Sequence, residues 1–88
     1  MLDNETLKQH LLQCPEVNFV NVEGDGHHYN LVVVSDVFLG KTLVARQQWV
    51  YSKLKNYITS GSLHALSMKT WTIEEWEKQS GQVSHTRK

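Results

Sequence analysis

Val17-Asn18-Phe19-Val20-Asn21-Val22-Glu23-Gly24-Asp25-Gly26-His27-His28-Tyr29-Asn30-Leu31-Val32-Val33-Val34-Ser35 contains two strands and the turn between them. Val17 to Val22 is rich in β-branched and aromatic residues, which pack well on a pleated surface. Gly24-Asp25-Gly26 is turn chemistry, because glycine tolerates a positive φ without steric cost. Tyr29 to Ser35 is almost continuously apolar, as expected of a strand that is central in its sheet or covered on both faces. Two strands joined by a short Gly-rich loop predict an antiparallel hairpin.

The chain on either side of this hairpin predicts helices and one more strand. Upstream, Asp3 or Asn4 can cap a first helix with Leu7, Leu11 and Leu12 on one face, and Pro15 stops it. Downstream, residues 35–40 form a connector. A helix is expected from about Thr42 to Ile58, with Leu43, Gln47, Val50, Leu54, Tyr57 and Ile58 on one arc. Ser60-Gly61-Ser62 ends it, and Leu63 to Trp71 is a third strand. Thr72-Ile73-Glu74-Glu75 is a capping box that opens a last helix. Gln79 to Lys88 is polar without an apolar period, so residues 1–80 are expected as one domain and residues 81–88 as a polar, disordered tail. The order α-β-β-α-β-α places a helix between the second and third strands. These are therefore expected to be parallel with a right-handed crossover, in an α+β fold with a three-stranded mixed sheet.

The chain has 88 residues, with nine Lys plus Arg against nine Asp plus Glu. A chain this size buries roughly 60–65% of its unfolded surface, enough for one modest core and no large enclosed pocket. A net charge of zero argues against broad binding to nucleic acid or anionic membrane, which rests on a basic field. The lone cysteine, Cys14, excludes an intrachain disulfide. The longest apolar run is far too short to span a membrane, and the acidic N-terminus lacks a signal-peptide pattern, so a cytoplasmic protein is expected.

Histidine is the residue type with chemistry to offer. His27 and His28 lie in the Gly-rich loop, and His64 opens the third strand. Imidazole is a common ligand of transition metals and titrates near neutral pH. Such a set is too small to close a structural metal site but can supply part of a shared one. Taken alone, His64 is a partly exposed, hydrogen-bonded strand residue, and His27 and His28 are ordinary loop polar groups. His10 and His85 are expected on the surface. Cys14, at a helix C-terminus that disfavours a thiolate, is expected to be a packing residue. Glu74 and Glu75 suit the positive end of a helix. Trp49 falls on the wheel well away from the Leu43–Val50–Leu54 arc, which marks it as a candidate partner surface. No nucleophile with a base at recognisable spacing, no phosphate-cradling loop and no H-x-x-x-H pair is present, so an enzyme is not expected.

Several segments together resemble the BolA family over about residues 4–80. They are residues 20–29, 34–41 and 46–51, then His64-Ala65-Leu66-Ser67-Met68-Lys69-Thr70-Trp71-Thr72 followed by Glu75-Trp76. The Gly-Asp-Gly-His-His-Tyr loop and the Arg-Gln-Gln helix are most similar to the acid-stress branch of bacterial BolA-like proteins. The resemblance implies the α-β-β-α-β-α BolA fold, similar in topology to a class II KH domain. It also implies a heterodimer with a monothiol Cys-Gly-Phe-Ser glutaredoxin. In such pairs a [2Fe-2S] cluster is shared, the partner cysteine and glutathione supplying thiolates and the BolA-like chain supplying histidine. His64 matches the family's strand position and His28 its loop position, with His27 as the adjacent alternative. No cluster is expected in the isolated chain. Imidazole in place of thiolate lowers the negative charge on a cluster, raises its potential, and can leave when protonated.

Two other readings come from different classes. Nucleic-acid binding through Lys41, Arg46 and Lys53 follows from the KH-like topology. It has little support, because Phe38-Leu39-Gly40-Lys41 has one glycine where a KH clamp needs two. A homodimer through an open sheet edge or Trp49 is the third reading.

Overall fold

A computed structural model describes residues 3–25, 27–63 and 65–86, with side chains through residue 79. The central strand of its sheet is β2 (His28–Val34), flanked by β1 (Phe19–Gly24) and β3 (Ala65–Trp71). β1 pairs antiparallel with β2 and β3 pairs parallel with it, as the sequence predicts. β1 starts two residues later than expected. The Val17 amide is used to close a turn onto Cys14 O, and the Asn18 amide makes the first bond to Val34 O.

Four helices accompany the sheet: α1 (Asn4–Leu12), α2 (Leu43–Lys53), α3 (Lys55–Thr59) and α4 (Ile73–Thr86), with a 3-10 turn at Asp36–Phe38. Register assigns the two faces of the sheet. Val20, Val33 and Thr70 form one row of the inner face, and Val22, Leu31 and Met68 the next. Onto this face pack Leu7 and Leu11 of α1, Val50 of α2, and Leu54, Phe38 and Leu63. Cys14 is half-buried against the same core, the packing role its position predicts.

On the outer face the row Phe19, Val34 and Trp71 is partly covered by the start of α4. There Trp76 stacks on Phe19 at 5.4 Å between ring centroids and lies 6.4 Å from Trp71. The rest of that face carries Asn21, Val32 and Lys69, then Glu23, Asn30 and Ser67, then His28 and Ala65.

The single helix expected over residues 42–58 is two helices. Leu54 sits at φ −104°, ψ 7° between them and is fully buried. The cause is a residue 43 positions away: the His10 ring Nε2 lies 2.7 Å from Lys53 O. A carbonyl only accepts, so this nitrogen is the donor. The Tyr57 amide, which would take Lys53 O in a continuous helix, bonds Leu54 O instead. His10 is accordingly half-buried and edge-on to Tyr57, correcting its assignment to the surface. The break also ends the expected arc. Val50 and Leu54 are buried, whereas Leu43 at the helix start and Ile58 beyond the break are exposed.

The backbone of α4 runs on to Thr86. Among the described residues no helix is long and apolar enough to cross a membrane.

Candidate functional site

The β1–β2 loop places two imidazoles at one end of the sheet. Asp25 organises it. Its Oδ1 accepts from the His27 amide at 2.9 Å and from the His28 amide at 3.0 Å, while its own amide donates to His28 O at 3.3 Å. Asp favours such turns because its short side chain can satisfy backbone donors two or three residues on. The His28 amide, then that of His27, holds the Asp25 carboxyl below its ordinary range. At the base of the loop, Asn4 Nδ2 donates to Gly24 O at 3.4 Å, tying the hairpin to α1.

Gly24 is required by packing. A Cβ there would lie 2.6 Å from Tyr29 Cδ1 and 2.8 Å from His28 O. The buried Tyr29 ring thus presses under the loop.

His27 and His28 are both exposed. His28 opens β2 and sits on the outer face, where its Nε2 lies 3.3 Å from Ser67 Oγ. Its register partner across the sheet is Ala65, the residue that follows His64 in the chain. His64 itself lies outside the described residues, as does His85's side chain. Asp25 and Ser67 are additions that the sequence reading missed. The Asp-Gly-His-His spelling is itself an Asx-turn signal for Asp25, whereas Ser67 becomes legible only through the β2–β3 register.

Among the described residues no group of three or more His, Cys, Asp or Glu side chains could hold a metal ion. The donor chemistry that His27 and His28 offer at this end of the sheet is imidazole, a ligand type suited to transition metals.

The other singled-out residues have structural work. The Arg46 guanidinium makes two bonds to the Glu75 carboxylate at 2.8 and 3.3 Å, and further bonds to Thr70 O at 3.2 Å and Lys41 O at 3.1 Å. Its side chain is 15% exposed. It is therefore committed to joining α2, β3 and α4, and it leaves the set Lys41, Arg46 and Lys53 without its central member. Lys53 Nζ lies over the Trp49 ring at 5.0 Å. Trp49 meets Phe38 edge to face at 5.6 Å and is half-buried against the core. The wheel overstated its exposure because Phe38, from the connector, covers a flank of α2 that periodicity assigns to solvent.

A family model described as "BolA-like protein" matches residues 4–75. The acid stress protein IbaG of Escherichia coli (strain K12) is 34% identical over 77 residues, covering 88% of this chain and 92% of that protein. Among solved structures, a bolA protein homologue from Coxiella burnetii superposes with a TM-score of 0.77 at 37% identity, covering 88% of this chain and 99% of the other. The BolA domain of SufE1 from Arabidopsis thaliana gives 0.73 at 31% identity, covering 85% and 99%.

Proposed function

This chain belongs to the BolA-like protein family, and on that footing we propose that it is an interaction module for a monothiol glutaredoxin. In this reading the two proteins hold a [2Fe-2S] cluster between them, in iron–sulfur trafficking or the stress response. His64 and His28 are the iron ligands from this chain, with His27 as the alternative to His28. The observation that supports the reading is the pairing of His28 with Ala65, next in sequence to His64. The residue that follows His64 is thus at the same end of the sheet as His28.

The cluster, when bound, supplies one-electron chemistry and a transferable iron–sulfur unit. This chain's part is to present neutral imidazole from a loop tied down by Asp25, Asn4 and the Tyr29 ring. The partner's part is the thiolate, since this chain's one cysteine, Cys14, packs against the core.

Anaerobic titration into a monothiol glutaredoxin carrying a glutathione-ligated [2Fe-2S] cluster, followed by visible circular dichroism, tests this. A new spectrum complete at one-to-one stoichiometry is expected, and His64→Ala should abolish it. No spectral change with the unaltered chain would overturn the reading.

A further inference from the structure

We propose that Asp25 and Ser67 are positioning residues that fix His28 from two sides and leave its Nδ1 as the nitrogen presented to iron. The inference rests on the reading of His28 as a cluster ligand and adds to it a choice of ring nitrogen and a supporting shell.

An imidazole has two nitrogens, and a neutral ring has one lone pair free for a metal. The hydrogen bond made by the other nitrogen decides which one it is. His28 Nε2 faces Ser67 Oγ at 3.3 Å. Among the described residues His28 Nδ1 has no hydrogen-bond partner. If Nε2 carries the proton and donates to the Ser67 hydroxyl, the lone pair is on Nδ1. Ser67 is a β3 residue on the outer face, one row along from Ala65, so the contact also ties the ring across the β2–β3 pair. Ligating histidines commonly use their second nitrogen in this way, and losing such a partner costs metal affinity about 10–100-fold.

Asp25 acts on the backbone of the same residue. Its single Oδ1 takes the amides of both His27 and His28, so the direction in which the His28 side chain leaves the loop is set by one carboxylate. Asn can supply the same acceptor through its own Oδ1, whereas Ala cannot.

The test begins on the isolated full-length chain. Long-range 1H–15N spectra of histidine-labelled protein, taken where the ring is neutral, report the His28 tautomer. Protonation at Nε2 is expected, with a smaller fraction of that tautomer in Ser67→Ala. Protonation at Nδ1 would overturn the assignment. Hydrogen exchange of the His27 and His28 amides should rise in Asp25→Ala and stay low in Asp25→Asn. Equal exchange in both variants would remove Asp25 from the proposal.

The second arm measures affinity for the cluster-loaded glutaredoxin. Ser67→Ala and Asp25→Ala are each expected to weaken the complex about 10-fold, with Asp25→Asn close to the unaltered chain. His28→Ala separates the two layers of the argument. If His28→Ala changes the cluster spectrum and the positioning variants do not weaken the complex, the positioning roles fail while the ligand reading stands. If His28→Ala leaves the spectrum unchanged, the ligand reading of His28 fails and the proposal falls with it.

Discussion

Gly24 shows how one position can couple the core to the candidate site. It lies on the inner face of β1, paired with Tyr29, and the Tyr29 ring occupies the space a side chain would need. Gly24→Ala must push the ring or move the His28 carbonyl, and the carbonyl is backbone in a hydrogen-bonded strand end. Overpacking of this kind typically costs 1–3 kcal/mol. We expect Gly24→Ala to lower the urea midpoint by an amount corresponding to about 1–3 kcal/mol and to shift the His28 amide resonance. An unchanged midpoint would mean that Tyr29 has room to retreat. Asp25 belongs to the same scale: at Asp25 a turn signal in the sequence is also a hydrogen-bonding device in the structure.

Among elements, α4 is the one whose anchorage is built from many parts. Thr72 Oγ1 accepts from the Glu75 amide at 3.2 Å and the Glu75 carboxylate accepts from the Thr72 amide at 2.9 Å, closing the capping box. Asp36 Oδ1 accepts from the Ile73 amide at 3.1 Å. The same Glu75 carboxylate grips Arg46, and the Arg46 bonds, followed by the Thr72 amide, hold its pKa below the ordinary value. The exposed Glu74–Lys78 pair at 3.8 Å contributes little by comparison.

Because the Glu75 pKa is lower in the folded state, its contribution is present above the unfolded value. It is lost as pH falls through the folded one. Glu75 is 42% exposed, so solvent screens part of the interaction. Glu75→Gln keeps a capping-box side chain and removes the charge. It should cost about 0.5–1.5 kcal/mol at neutral pH. That deficit should shrink in acid, well below the ordinary glutamate value of about 4.3. Denaturant unfolding of both chains at neutral and acid pH measures this, and a deficit that does not change with pH would refute the ion-pair account.

At the scale of the whole molecule, charge and commitment of charge argue together. The chain is neutral overall, and Arg46, the most central of its cations on α2, is consumed by Glu75. Nucleic-acid affinity depends on cations free to replace counterions at phosphates. We therefore expect no salt-dependent shift of duplex DNA by the full chain at low micromolar concentration. A shift that weakens steeply with added salt would contradict this and return Lys41 and Lys53 to consideration. The histidine end of the sheet and the aromatic anchorage of α4 lie at opposite ends of β2, at His28 and Val34 respectively. Changes at Glu75 and at His28 are consequently expected to act independently on stability and on partner binding.

The sequence by itself determined the element order, the antiparallel hairpin, the parallel crossover and the start of α4. Each of these rests on local signals: apolar periodicity, turn residues, caps and the length of a connection. It also singled out His64, His28 and His27 as candidate ligands. Only the tertiary structure decided the features made by residues distant in the chain. Those are the break at Leu54 where His10 meets Lys53 O, the loss of Arg46 to Glu75, and the partial burial of Trp49 against Phe38. The contact of His28 with Ser67 is of the same kind. Periodicity records which face of an element is apolar but not which distant side chain takes a particular carbonyl or charge, and those pairings exist only once the chain has folded.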